Sequence, residues 1–532
     1  MSVLFTSISQ DNPVKKDDVQ ILLDKLGVVI DPKEVSDFHM LLAAVHECAA
    51  QIQELPDYQP TPDRVRYPRE GIHRPSKQEQ FSGQAWAHKF LIRGSHEPGL
   101  LSGKTICLKD VIAVADVPQL YGTDVFAPWT PTTDATVVTR VLDAGADVVG
   151  TTTCENLCHS TSSFTSAQGP VDNPFHAGFS AGGSTSGGAA VVGGGLVDVA
   201  IGTDQGGSIR IPASFCGCVG FKATHGLVPY TGISSGNAID DHAGLLSRNL
   251  VDPALCLDAI SGYDGIDDRS LGAPAPGATT FTKCMQAEPD RLDGFKIGIL
   301  VEGFKHHMVD QGVREVVLAA AEGFARIGAT VEEVSVPDHS RGPALWTIQQ
   351  RIAGGQTLLG HQHGRRGLYL TELEQGRLPW TTESFQSCFA ATKNVIINGL
   401  YLMDHFPGLY GKAINLGRQL RDSYEAVFEQ YDVIIMPTAP IVAPRHGTTS
   451  KDGSPLDALK PSMGITINTA VFNVTGHPAM SIPVGVASSL TEPQVLLPVG
   501  MQIVGGLWKE GKVLRAGYAW ENAHDWRLGI VN

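Results

Sequence analysis

Two serines stand in the glycine-rich part of this chain, and the neighbours of the second could support covalent attack on a carbonyl. Ser184 lies in the run S-A-G-G-S-T-S-G-G-A-A that starts at Ser180, and Ser208 in G-T-D-Q-G-G-S-I-R-I-P starting at Gly202. Glycine-rich turns expose backbone N–H groups to anions, so phosphate binding is the first alternative. A phosphate loop closes on Gly-Lys-Ser/Thr, however, and no lysine lies between Ser180 and Ile211. Nor do the glycines fall in the G-x-G-x-x-G spacing of a dinucleotide-binding turn. Gly206-Gly207-Ser208 instead lets successive N–H groups converge, because glycine tolerates the backbone angles of such a nest. A serine closing the nest can attack a carbonyl whose oxygen is then held as an oxyanion. Ser208 is not in a G-x-S-x-G elbow, and no histidine stands near it in a familiar triad context.

The elements that must hold these serines are legible as an α/β pattern. From about residue 100, short β-type runs (Thr105–Leu108, Val148–Gly150) alternate with helical ones such as Ala135–Ala144. Strand texture returns at Val433–Met436, Ala479–Val484 and Met501–Val504, after a mostly helical excursion at about 340–430. Residues 17–55 read as helices, with Leu22, Leu23 and Leu26 on one face and Phe38, Leu41, Leu42, Val45 and Ala49 on another. The Pro- and charge-rich stretch Pro56 to Pro75 reads as a linker. The expected organisation is an N-terminal helical arm and linker over 1–75 and an α/β domain over 76–532. Glycines 193–195 are expected to serve close helix-to-sheet packing rather than ligand contact.

Bulk composition narrows the partners. Lys+Arg 40 against Asp+Glu 55 gives a net charge of −15 with no dense basic stripe, which disfavours nucleic acid. No stretch reaches the roughly 18 uninterrupted apolar residues of a membrane span, and Met1 to Lys16 lacks the pattern of a secretory signal, so a cytoplasmic location is expected. Nine cysteines is an odd count that rules out a complete disulfide framework and reads as mostly buried free thiols. No His, Asp and Glu fall together at ligand spacing, so neither metal nor cofactor is expected.

The two serine motifs resemble the signature of the amidase signature family. That signature runs Gly-Gly-Ser-Ser, a helix of small residues, then Gly-Thr-Asp-x-Gly-Gly-Ser-Ile-Arg-x-Pro. Here it stands as Gly182-Gly183-Ser184-Thr185 and Gly202 to Pro212, with the serines 24 residues apart. Ile106-Cys107-Leu108-Lys109-Asp110 is similar to the strand that carries the family's base. Cys216 to Lys222 and Phe472 to Pro478 also look like family segments. The resemblance covers roughly residues 80–515. Glu155-Asn156-Leu157-Cys158, Asp204-Gln205-Gly206 and Leu227 to Gly232 lean toward bacterial-type aliphatic and aromatic amidases with an N-terminal helical arm. The chain departs from the pattern at Thr185 and Ser186 and at Ala223 and His225, which bears on pocket shape.

The resemblance implies a large mixed, mostly parallel twisted sheet with helices on both faces. It implies Ser208 as nucleophile, Lys109 as base, and Ser184 as the bridge that relays the proton, with a cis peptide between Gly183 and Ser184. A lysine takes a proton only as the free amine, so such a base must be withdrawn from water. The N–H groups of Gln205, Gly206, Gly207 and Ser208 would form the oxyanion hole, with Asp204 and Arg210 bracing the loop. His159 falls where relatives place a residue lining the acyl pocket. The implied activity is hydrolysis of a small carboxylic amide to acid and ammonia through an acyl-serine. A carbamate hydrolase with the same triad, a glutaminase-like subunit of a tRNA-dependent amidotransferase, and a non-catalytic scaffold are the alternatives. The expected partners are a small amide or carbamate and a second copy of the chain, since the apolar faces of 17–55 need cover.

Overall fold

The computed structural model describes residues 7–287, 289–447 and 453–529. It divides into two units, 1–60 and 61–532. In the first, helices Lys16–Asp24 and Val35–Gln53 form where the apolar spacing predicts them. The Asn12 amide donates to Ala43 O and to Glu47, tying the leading segment to the second helix. The boundary falls at 60/61, so residues 61–75, linker-like in composition, belong to the larger unit. There Tyr67 is buried and Arg69 pairs with Asp134, which compensates for the many prolines and charges around them.

Among the described residues of the larger unit, twelve strands form one sheet. They are β1 (Glu70–His73), β2 (Trp86–Ile92), β3 (Thr105–Lys109), β4 (Asp147–Thr152), β5 (Val199–Asp204), β6 (Val219–Lys222), β7 (His242–Ser247), β8 (Lys296–Leu300), β9 (Thr330–Val334), β10 (Val433–Pro437), β11 (Ala479–Ser488) and β12 (Leu496–Gly505). Their order is β1-β2-β4-β3-β5-β7-β6-β11-β12-β10-β8-β9. Every residue of β5, β6, β7 and β10 is buried, so both faces of the sheet are covered.

The sheet is mixed as expected, but it is not mostly parallel. Seven of its eleven strand pairings are antiparallel. The reason is local connectivity. β11 and β12 are joined by a short loop that returns the chain directly, and β7 inserts between β5 and β6 against both of them. The parallel character survives where it matters for the site, with β3 lying parallel to both β4 and β5.

Helices Gly342–Leu358, Thr371–Gly376, Thr382–Ser387, Ala390–His405 and Leu409–Phe428 make up the excursion read from sequence. No helix among the described residues is long and apolar enough to cross a membrane.

Candidate active site

Parallel pairing of β3 and β5 brings their C-terminal ends side by side, with Lys109 closing one strand and Thr203 near the end of the other. Lys109 Nζ donates to Ser184 Oγ at 2.9 Å and to Thr203 Oγ1 at 2.9 Å. Ser184 Oγ donates onward to Ser208 Oγ at 3.0 Å. Lys109 is 0% exposed and Ser184 1%, whereas Ser208 is half-buried. The line of three side chains therefore runs from the interior to a reachable hydroxyl. Each hydroxyl can donate and accept, so the same contacts carry a proton either way.

Ser184 sits before helix Ser186–Gly193, whose small residues let it lie flush on its neighbours. The Gly183–Ser184 peptide is cis, as the resemblance implies. A Cβ on Gly183 would lie 2.1 Å from the Ser162 carbonyl oxygen, so only glycine fits there. At Gly193 and Gly194 a Cβ would strike the Cys216 carbonyl and the Phe81 ring, so the close packing of that stretch is against a helix end and a loop rather than against the sheet as expected.

The turn between β5 and helix Arg210–Phe215 is held by its carbonyls. Trp346 Nε1 donates to Gln205 O at 2.6 Å, Thr469 Oγ1 to Gly206 O at 2.7 Å, and Ile211 N to Gly207 O at 2.8 Å. In a trans peptide the N–H points opposite to the carbonyl, so fixing each oxygen aims the next N–H. Gly207 takes φ +131, open to glycine alone in practice. Its N–H donates to Asp204 Oδ1 at 2.7 Å. The expected set of four oxyanion donors is corrected accordingly: the Gly207 N–H is committed within the loop, because the Asp204 carboxylate turns back under it. The N–H groups of Gln205, Gly206 and Ser208 have no acceptor among the described residues.

Asp204 and Arg210 are both fully buried and brace this turn from below, where sequence reasoning puts them. Arg210 donates to both Asp204 oxygens at 3.0 and 2.8 Å, to Thr469 O at 2.8 Å, to Gln502 Oε1 at 2.7 Å and to Asn473 Oδ1 at 2.7 Å. Burial works against charge on Asp204, but the Arg210 guanidinium and the Asn473 amide hold its carboxyl well below the usual range. A carboxylate satisfied on this scale is a rigid support rather than a proton carrier.

A narrow cavity opens beside Thr203, Gln205 and Cys158, with His159 and Tyr121 in its wall. Leu157 and Cys158 both lie in the left-handed region, at φ 48 and 61, a costly pair for non-glycine residues that turns the chain toward the cavity. The Cys158 thiol sits against Lys109 and Ser184. The hydrogen bond from the Cys154 thiol holds Cys158 below its ordinary value against the effect of burial. Burial, with Arg351 and Arg377 nearby, pushes His159 down to about 3, so its ring is neutral. His159 Nδ1 is buried without a partner among the described residues.

Several contributors lie outside the residues picked from sequence. Thr203 shares Lys109 with Ser184 and was visible as the threonine of the Gly-Thr-Asp run. Glu155, fully buried beneath Gly183, accepts from Ser186 Oγ at 3.0 Å and Thr165 N at 2.7 Å. Burial pushes its carboxyl up to about 7, against the bonds from Thr165 and Ser186. Trp346, Thr469 and Gln502 come from segments so distant that no local signal marks them, while Asn473 lies in the Phe472 to Pro478 segment that resembles the family.

Fold and site place this protein among the hydrolases that act on amides. The chain belongs to the amidase signature family, whose amidase model matches residues 81–514. It is 38% identical over 431 residues to an enantioselective amidase of Rhodococcus rhodochrous, covering 80% of each chain. It is 33% identical over 451 residues to a glutamyl-tRNA(Gln) amidotransferase subunit of Cyanothece sp., covering 84% of this chain and 89% of the relative. Among solved structures it is similar to the peptide amidase of Stenotrophomonas maltophilia, with TM-score 0.64 and 27% identity over 80% of this chain and 83% of that one.

Proposed function

We propose that this protein hydrolyses the C–N bond of a small carboxylic amide, releasing the acid and ammonia through an acyl-Ser208 intermediate. The observation that carries this reading is the Lys109–Ser184–Ser208 line, at 2.9 and 3.0 Å, ending beside three unpaired backbone N–H groups. Ser208 Oγ attacks the carbonyl carbon while its proton passes to Ser184 and the Ser184 proton to the free Lys109 amine. The carbonyl oxygen becomes an oxyanion held by the N–H groups of Gln205, Gly206 and Ser208. Collapse breaks the C–N bond, with the proton returned through Ser184 to the departing nitrogen. Water then enters, loses its proton along the same line, and frees the acid and Ser208.

A fluorophosphonate is expected to label Ser208, and Ser208→Ala to abolish ammonia release from acetamide and benzamide. Labelling at another residue, or ammonia release that survives Ser208→Ala, sinks this reading.

A carbamate hydrolase with the same three residues is the second reading, supported by the unpartnered Nδ1 of His159 in the cavity wall, which could meet a carbamate's ester oxygen. Comparing ammonia release from ethyl carbamate and from the two amides separates them. Membership of a tRNA-dependent amidotransferase complex is disfavoured by the N-terminal helical unit and by the higher identity to an enantioselective amidase. Co-purification with partner subunits would reverse that preference.

A further inference from the structure

Arg377 is 6% exposed, and it lines the cavity that opens beside Cys158, Thr203 and Gln205. The same side chain lines the adjoining cavity, which shares Ser234 and Ser235, so it stands where the two meet. Its Nε is buried without a hydrogen-bond partner, and no described side chain bonds or pairs with the guanidinium. Burying an arginine in this way is strongly unfavourable unless something completes its bonding. The fully buried basic side chains at the catalytic line and its brace are already bonded: Arg210 to Asp204, Asn473 and Gln502, and Lys109 to two hydroxyls.

The surroundings set the sign of what is missing. No Asp or Glu lines the cavity next to Thr203 and Gln205. Arg351, whose Nε is likewise buried and unpartnered, adds a second positive charge near His159. Glu374, on the turn before Arg377, faces it electrostatically but forms no ion pair with it among the described residues. The neutral His159 ring contributes a further unpartnered nitrogen. A planar fork of unpaired N–H donors at the edge of the acid-free cavity beside Thr203 and Gln205, with Glu374 lining only the adjoining one, fits a carboxylate, which can accept two of them side by side.

Resting on the amide-hydrolase reading, we infer that Arg377 binds a carboxylate on the acyl side of the substrate, so that the preferred substrates are monoamides of dicarboxylic acids. A site whose buried donors are left unpaired by the wrong substrate discriminates far more strongly than one that senses only size. The charged end therefore dominates selection, and the length of chain between amide and carboxylate is set by the reach from Ser208 to Arg377.

The test is ammonia release from the series malonamate to adipamate, each paired with the neutral amide of matched length. The expected result is one preferred length at which wild-type kcat/KM exceeds that of the neutral partner by about 100-fold or more. Arg377→Met is expected to lower kcat/KM for that substrate by about 100-fold or more and for the neutral amide by less than about tenfold, with Arg377→Lys between. Equal kcat/KM for charged and neutral amides in the wild type, or parallel losses in Arg377→Met, overturns the inference while leaving amide hydrolysis standing. Calorimetry of the monoamides on Ser208→Ala protein, with and without Arg377→Met, reads the site independently of turnover. Binding that disappears with Arg377 supports the inference, and binding that is absent or indifferent to Arg377 overturns it. A misfolded Arg377→Met is recognised by its melting curve, and Arg377→Lys then carries the comparison.

Discussion

Asp204 Oδ1 accepts the Gly207 backbone N–H at 2.7 Å and the Arg210 guanidinium at 2.8 Å, so one carboxylate shapes the glycine turn and anchors it to the core. The arrangement exchanges a potential oxyanion donor for rigidity. Because the pair is fully buried, removing one partner strands the other charge. Arg210→Met is expected to destabilise the protein by about 3–5 kcal/mol in chemical denaturation. A loss below about 1 kcal/mol would mean that Asn473 and the backbone suffice to hold Asp204.

Lys109 is expected to be needed for turnover rather than for folding. Lys109→Ala should lower kcat by about 10²–10⁴ while the melting profile stays cooperative. His159, held down at about 3, contributes no ionisation to the pH–activity profile between about pH 5 and 8. A His159→Ala profile of different shape in that window would contradict this.

His159 also offers a way to separate carbamate from amide selection. If its unpartnered Nδ1 bonds a carbamate's ester oxygen, His159→Ala loses kcat/KM for carbamates by about 1–3 kcal/mol and spares aliphatic amides. Equal losses on both substrate types would confine His159 to filling space.

Glu155 ties pH to stability beneath the Ser184 turn. Its folded value of about 7 lies above its ordinary 4.5, so the native state keeps a proton that the unfolded chain has released between those values. That contribution is complete below about pH 4.5 and is lost as pH rises through 7. Glu155→Gln removes the cost of ionising, and its amide can face Ser186, whose hydroxyl can turn to accept. The variant is expected to gain about 1–3 kcal/mol relative to wild type between about pH 5 and pH 8.5. Denaturation curves that show a constant difference across this range would exclude an ionisable Glu155.

The two helices of the N-terminal unit and the turn after the first leave Ile21, Leu22, Leu26, Phe38, Met40, Val45 and Ile52 exposed. Apolar surface on this scale is expected to be covered by a second copy of the chain. Light scattering at micromolar concentration should give twice the 56.6 kDa chain mass, and a 56.6 kDa particle refutes the dimer.

By itself the sequence determined the glycine nest closing on Ser208, the N-terminal helices and the helical excursion, whereas Lys109, Ser184 and the Asp204–Arg210 brace were legible through the resemblance of their motifs to a family signature. Those features are short-range: a nest is made by consecutive residues, an amphipathic helix by spacing of three and four, and a strand end by its own run. The direction of strand pairing was not legible, because β6 and β7 are short and their apolar residues do not say which neighbour they meet. Nor could sequence show that Gly207 spends its N–H on Asp204, since donors and acceptors so close along the chain are sorted by backbone angle. Tertiary structure alone decided that Trp346 and Thr469 fix the nest carbonyls across 141 and 263 residues, and that the Arg377 Nε is buried without a partner. A side chain's chemistry is written in its type, but whether its bonds are already used depends on what the fold brings beside it.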